Sequence, residues 1–159
     1  MLRNKSKIEF AKFSDVLEIS NLSKKYIEYD LRQHYTPEQL KKAMNRNNKN
    51  VVVARVKDKL VGFGIMTYHD DRANLDLLAV KLFYRRRGIG RQIVYWLEEV
   101  ALTAGIFYIF VQARKINRGA IKFYNKLGFE LFEEKSSYYQ GKETGVLMSK
   151  YISKAKDAT

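Results

Sequence analysis

Asn74-Leu75-Asp76-Leu77-Leu78-Ala79-Val80, then Arg85-Arg86-Arg87-Gly88-Ile89-Gly90, then Ile106-Phe107-Tyr108-Ile109-Phe110-Val111: the reading of this stretch decides the fold. The first segment reads as a strand over 74–80. After it the apolar period changes, because Ile89, Ile93, Leu97, Val100 and Ala104 recur at helical spacing and Gly105 can cap the helix end. The third segment is a nearly continuous apolar run, the pattern of a strand covered on both faces. Strand, helix and a second strand over 106–112 make one βαβ unit. A right-handed crossover and a parallel strand pair are expected.

Upstream, alternation over 8–12 predicts a first strand, and Ser14-Asp15 starts a helix with Val16, Ile19, Leu22 and Tyr26 on one face. Thr36-Pro37-Glu38-Gln39 predicts a second helix, with Thr36 as N-cap, Pro37 at N1 and Gln39 closing a capping box. It runs to about Asn45, and 47–50 is a polar break. Strands over 51–56 and 60–68 form a hairpin through Lys57-Asp58-Lys59. Residues 69–72 make the next turn. Downstream, 117–127 reads as a helix stopped by Gly128, and 129–135 and 145–151 read as two antiparallel strands. The sum is an α/β fold with a mixed sheet and helices on both faces. One domain over 1–152 is expected, with 153–159 a loose polar tail.

Composition narrows the function classes. Apolar residues are 46% of the 159, which excludes a disordered chain. There is no cysteine, so disulfides, zinc-thiolate sites and thiol nucleophiles are excluded. No apolar run is long enough to cross a bilayer, and no signal-peptide pattern follows the basic start. A cytoplasmic protein without membrane contact is the expectation. The net charge of +13 favours anionic partners. It is spread out, with 15 basic and 10 acidic side chains in residues 1–80 and 15 and 7 in residues 81–159. A generally basic, solvated surface accounts for it equally well. No RNA-recognition aromatic motif is present, so no specific nucleic acid is expected, while proximity to a ribosome is compatible with the charge.

The loop at 85–90 joins a strand end to a helix start. There the first-turn N–H groups lack intrahelical acceptors and the helix dipole favours anions. Gly88 and Gly90 remove Cβ atoms that would block a phosphate, and Arg85, Arg86, Arg87 and Arg91 add charge. It is neither a Walker A loop nor a G-x-G-x-x-G fingerprint. On local chemistry alone a phosphate site and a solvated connector stand about equal.

Arg85-Arg86-Arg87-Gly88-Ile89-Gly90 resembles the Arg/Gln-x-x-Gly-x-Gly/Ala signature of the GNAT superfamily of N-acetyltransferases. The preceding Leu77-Leu78-Ala79-Val80, the amphipathic helix after the loop, and the stretch from Asn117 to Phe129 resemble that family's other cofactor segments. The order of elements agrees over about residues 8–151. Leu82 stands where members often carry proline. The resemblance implies a mostly antiparallel mixed sheet of about seven strands, a splayed parallel pair and about four helices. It implies acetyl-CoA as co-substrate, no metal, and an amine acceptor, as a monomer or homodimer.

The resemblance also implies residue roles. The backbone of Leu78, Ala79 and Val80 would meet pantetheine and the thioester carbonyl, with an N–H as oxyanion donor. Residues Arg85 to Arg91, Ile89 included, would hold the pyrophosphate, and Asn117 would contact pantetheine or its carbonyl. Tyr124 corresponds to the general acid that protonates the leaving thiolate. Packing of its helix against the sheet is the plainer role, and one side chain can serve both.

Within that family the chain resembles the branch that acetylates the N-termini of ribosomal proteins. There Arg114-Lys115-Ile116-Asn117 matches, but Gln112 occupies the place of a glutamate base. A carboxamide cannot take the amine's proton. Asp76, on one strand face with Leu78 and Val80, is a candidate base; a water chain, or a substrate needing little help, is the alternative. A lysine amine costs about 3 kcal/mol more to deprotonate at pH 7 than an α-amine, which favours an α-amine or another weakly basic amine as acceptor. Tyr138 and Tyr139 resemble the tyrosine pair that meets the incoming peptide in that branch, although an aromatic pair can simply cover a hairpin end. His69 beside Asp70 and Asp71 reads as a polar turn rather than a metal site, and with His34 the only other histidine no Ser/His/Asp array is arguable. The competing functions are acetylation of a small amine, such as a polyamine or aminoglycoside, and a catalytically weak acyl-CoA sensor.

Overall fold

Lys57 and Asp58 both adopt positive φ, 50° and 66°, and Val56 pairs with Lys59. The hairpin is therefore closed by two residues rather than three, in the mirror-image turn geometry that matches strand twist. It joins β2 (Lys49–Val56) to β3 (Lys59–Tyr68). The computed structural model of the chain describes residues 5–27, 35–139 and 143–153, without the side chains of 137–139 and 143. The expected tail beyond 153, and His34, lie outside them.

Among the described residues seven strands pair in the order β1-β2-β3-β4-β5-β7-β6. The further strands are β1 (Lys7–Phe10), β4 (Ala73–Val80), β5 (Tyr108–Arg114), β6 (Glu130–Tyr139) and β7 (Glu143–Tyr151). The helices are α1 (Val16–Tyr26), α2 (Pro37–Met44), α3 (Ile89–Thr103) and α4 (Arg118–Lys126). The pair β4/β5 is parallel, and β1/β2, β2/β3, β5/β7 and β6/β7 are antiparallel. This is the mixed, mostly antiparallel sheet expected.

The chain divides into two compact units. One holds the residues up to Thr67 with Leu77–Leu97; the other holds Tyr68–Asp76 with the residues from Glu98 on.

In the first unit, one face of the strands buries Val51, Val53, Phe63, Ile65, Leu77 and Ala79 with Val16, Ile19 and Leu22 of α1 and Leu40 and Ala43 of α2. The N-terminal part of α3 packs at Gly62 and Gly64. A Cβ at Gly64 would stand 2.8 Å from Ile93 Cγ2, and one at Gly62 2.9 Å from the Ala79 carbonyl oxygen. Helices thus cover both faces here. Thr36 Oγ1 accepts from Gln39 N–H at 3.3 Å, the expected cap. Before α1, a 3-10 turn over Phe13–Asp15 is held by the Asp15 carboxylate accepting from Lys12 N–H at 2.8 Å. Arg55 ties that turn to β1, with 2.6 Å contacts to both Asp15 and Glu9. Burial would push the Asp15 carboxyl up, but its hydrogen bonds from Arg55 and Lys12 N–H hold it below its ordinary value.

In the second unit, β5 begins two residues later than its apolar run. Ile106 N–H bonds to Ala101 C=O at 2.9 Å, so that residue belongs to the C-terminal cap of α3. Nor is β5 covered on both faces: Ile109, Val111 and Ala113 are buried while Tyr108 and Gln112 are exposed. The phenylalanine and tyrosine that make the run continuous lie on the more open face. At the β3–β4 turn, His69 N–H donates to Arg72 C=O at 2.8 Å and its Nε2 lies 3.2 Å from Asn74 Nδ2, a turn role.

Candidate active site

The loop from β4 to α3 is shaped by two residues in the left-handed region, Arg86 at φ 62° and Gly88 at φ 81°. A side chain is strained there, and glycine is not. A 3-10 turn over Leu82–Tyr84 precedes it, and the first helical bond of α3 runs from Gln92 N–H to Gly88 C=O at 3.0 Å. The next donors at Ile89, Gly90 and Arg91 are first-turn N–H groups with no acceptor inside the helix. A Cβ at Gly88 would meet nothing within 4 Å. The approach to the helix start is open, the condition for an anion to reach main-chain donors.

The arginines divide by role. Arg85 is anchored: its Nε donates to Val80 C=O at 2.9 Å and its guanidinium stacks 4.9 Å over the Tyr26 ring. It braces the loop, and the Val80 carbonyl is thereby already engaged. Arg87 lies over Phe83 and Tyr84, at 5.0 and 5.3 Å, and Arg91 over Tyr95 at 5.1 Å. Cation–π stacking holds these guanidiniums without neutralising them. Arg86 and Arg87 are exposed, and no carboxylate occurs in the chain between Asp76 and Glu98, while Glu18 of α1 pairs with Lys81 at 2.6 Å. Tyr26 was legible only as an apolar helix position; its hydroxyl also accepts from Leu82 N–H at 3.4 Å.

On β4 burial alternates strictly. Leu77 and Ala79 are buried, while Asp76, Leu78 and Val80 share the half-buried face, as their spacing predicted. Asp76 is engaged within the protein. The parallel ladder comprises Ala73–Ile109, Asn74–Phe110 and Leu75–Val111, although β4 continues to Val80 and β5 to Arg114. Gln112 is the first β5 residue past the ladder's end. It is exposed, and pairs across β7 with Leu147.

Asn117 is the N-cap of α4, its Oδ1 accepting from Ala120 N–H at 3.0 Å. The expected contact of Asn117 with a ligand therefore falls to its amide nitrogen. Tyr124 is 6% exposed, edge-on to Phe123 at 5.1 Å and Phe129 at 5.5 Å. Its ring packs the helix against Phe129, and the residue makes a further interaction within the protein. Tyr138 and Tyr139 lie in β6 by backbone; their side chains lie outside the described residues. Among the described residues no group of three His, Asp or Glu side chains is placed to hold a metal, and no helix is long and apolar enough to cross a membrane.

The chain is 32% identical over 99 residues to the ribosomal protein bS18-alanine N-acetyltransferase of Salmonella typhimurium, a match covering 60% of this chain and 67% of that protein. Its fold is shared with Ard1 from Thermoplasma volcanium, at a TM-score of 0.84 and 20% identity, covering 94% of this chain and 99% of that one. It is also shared with the PaiA N-acetyltransferase from Thermoplasma acidophilum in complex with coenzyme A, at a TM-score of 0.80 and 19% identity, covering 93% and 99%. The model of the acetyltransferase (GNAT) family matches residues 14–129, which take in the glycine loop, Gln112, Asn117 and Tyr124, and the chain belongs to that family.

Proposed function

We propose that this chain, an acyl-CoA-dependent acetyltransferase, moves the acetyl group of acetyl-CoA onto the α-amine of a protein or peptide N-terminus in the cytoplasm. The observation that carries the choice of acceptor is Gln112. A neutral, exposed carboxamide follows the last β5 residue paired with β4, so β5 itself supplies no carboxylate to the acceptor amine. An α-amine, with a pKa near ~8, needs less help than a lysine at ~10.4. The similarity to a protein-alanine N-acetyltransferase supports the same choice. The basic surface suits an acceptor protein bound to a polyanion such as the ribosome.

The residues present fit the co-substrate. The open cradle at Gly88, the first-turn donors of Ile89, Gly90 and Arg91, and the guanidiniums of Arg86 and Arg87 suit a pyrophosphate, with Arg85 bracing the loop. Beyond the ladder's end, the backbone of Leu78, Ala79 and Val80 is the proposed partner of pantetheine and the thioester carbonyl. Donors preset there stabilise the oxyanion as the amine attacks. Asn117 would add its amide N–H donors. Tyr124 is the proposed acid, giving its phenolic proton to the departing thiolate. Asp76 is the candidate base carried on β4, already engaged within the protein.

The test is thiol release from acetyl-CoA with peptides led by alanine, serine and methionine, against lysine-only peptides, polyamines and aminoglycosides. Turnover is expected with free α-amines and abolished by blocking them. Preference for a polyamine or aminoglycoside overturns the acceptor, and tight CoA binding without any turnover points to a sensor. Tyr124→Phe keeps the packed ring and should slow turnover about 100-fold with CoA affinity unchanged, within the usual range for a positioned acid. Unchanged turnover removes Tyr124 from that role.

A further inference from the structure

Gln112, Leu147 and Glu133 form one cross-strand row, because Leu147 of β7 pairs with Gln112 of β5 on one side and with Glu133 of β6 on the other. Directly paired residues point to the same face of a sheet, so Glu133 and Gln112 share a face. Their backbones are two interstrand spacings apart, roughly 10 Å. Both residues are exposed and lie on this face at the same stretch of the sheet surface as Lys135 and Leu147. The next glutamate shows that the placement is specific. Glu134 pairs with Val146 on the opposite face and is bonded to Lys115 at 2.5 Å. Glu133 is exposed, and among the described residues it makes no ion pair. The register shift between Leu131 and Glu133 is what sets Glu133, and not its neighbour, beside the Gln112 position.

We infer that Glu133 is the general base of this chain, a carboxylate supplied from β6 to the sheet face on which β5 presents only a carboxamide. The inference rests on the acetyl-transfer reading and adds the proton's destination. The acceptor enters as an ammonium. Its proton passes to the Glu133 carboxylate, directly or through one water, leaving a neutral amine and a carboxylic acid. The amine lone pair then forms the N–C bond at the thioester carbon. The C–S bond breaks with its electron pair on sulfur, and the thiolate takes the Tyr124 proton. The remaining N–H proton of the adduct goes to solvent, and Glu133 returns its proton to solvent before the next turnover. Asp76 is the rival. It is half-buried and already engaged with a partner, whereas Glu133 makes no ion pair among the described residues.

The experiment compares wild type, Glu133→Gln, Asp76→Asn, Glu134→Gln and the double variant Glu133→Gln/Gln112→Glu, with an alanine-led peptide as acceptor. CoA affinity is measured by calorimetry in parallel. Glu133→Gln is expected to lower kcat/KM about 100-fold at unchanged CoA affinity, and Glu134→Gln to stay within about twofold of wild type. Moving the carboxylate back to 112 in the double variant should restore at least about tenfold, which a merely structural role of Glu133 would not give. The inference is overturned if Glu133→Gln stays within about twofold of wild type, if Glu134→Gln loses as much, or if Asp76→Asn alone carries the loss. Wild-type protein that binds CoA yet acetylates no amine overturns the proposed function instead.

Discussion

Replacing Gly88 with alanine separates the backbone's demand for glycine from the ligand's. Gly88 sits at φ 81°, and an added Cβ would meet no protein atom within 4 Å. The cost to the folded protein is therefore conformational only, about 1–2 kcal/mol for an alanine in the left-handed region. For a chain of this size that lowers Tm by roughly 2–8 °C. The effect on CoA has another origin. A methyl group in the cradle holds a phosphate away from the first-turn donors, and losing one hydrogen bond to a charged group costs about 1.5–3 kcal/mol. Every 1.4 kcal/mol is tenfold, so Kd should rise about 10- to 150-fold. Gly88→Asn is the control: asparagine tolerates the left-handed region, so its Tm loss should be smaller while its Cβ hinders CoA equally. Thermal melts and calorimetric titration of CoA, at one ionic strength because the loop charges are exposed, measure the two quantities. A variant with lowered Tm and a Kd within twofold of wild type would refute the placement of phosphate at this loop.

Two further outcomes follow from the first unit. Gly64→Ala places a Cβ 2.8 Å from Ile93 Cγ2 and 3.2 Å from Leu97 Cδ1, so the strand and α3 must separate. A loss of about 1–3 kcal/mol is expected from urea unfolding; no loss would show that α3 shifts freely. Asp15→Asn removes one of two carboxylates from Arg55 and should cost about 2 kcal/mol at pH 7, less than breaking an isolated buried pair because Glu9 remains. The Asp15 pKa is lowered in the folded state, so its contribution is present above the ordinary carboxylate pKa near ~3.9 and is lost as pH falls below it. Urea midpoints of wild type and variant should therefore differ by a constant amount down to about pH 4 and converge below it, and a difference that does not shrink below about pH 4 would contradict the ion-pair account.

Much of the fold was legible because its signals are local. Thr36 and Pro37 announced α2, the 3.6-residue period announced α3, and the βαβ order implied the parallel pair that β4 and β5 form. Boundaries slipped where a distant partner decides them. Lys49 and Asn50 read as a polar break, yet they pair with Thr67 and Met66 and extend β2. Ile106 read as strand, yet its N–H is consumed by the helix cap. Gly62-x-Gly64 carried a missed signal, since two glycines at period two in a strand mark a close approach, here of α3. In the loop, Arg85 looked like one more phosphate ligand. Its tether to Val80 and Tyr26 depends on α1, which no local reading reaches.

The loop that opened the reading is where sequence alone went furthest. A left-handed glycine, a helix start and adjacent arginines are determined within a few residues, so the proposed anion site at 85–91 is legible there, and the order of motifs around it points to the family. The position of Glu133 is of the other kind. In sequence it is one of three glutamates at 130, 133 and 134. Only the register of β6 on β7 and of β7 on β5 turns it toward Gln112 while turning Glu134 toward Lys115. Strand register depends on long-range pairing and on one bulge, and a shift of a single residue would exchange the two faces.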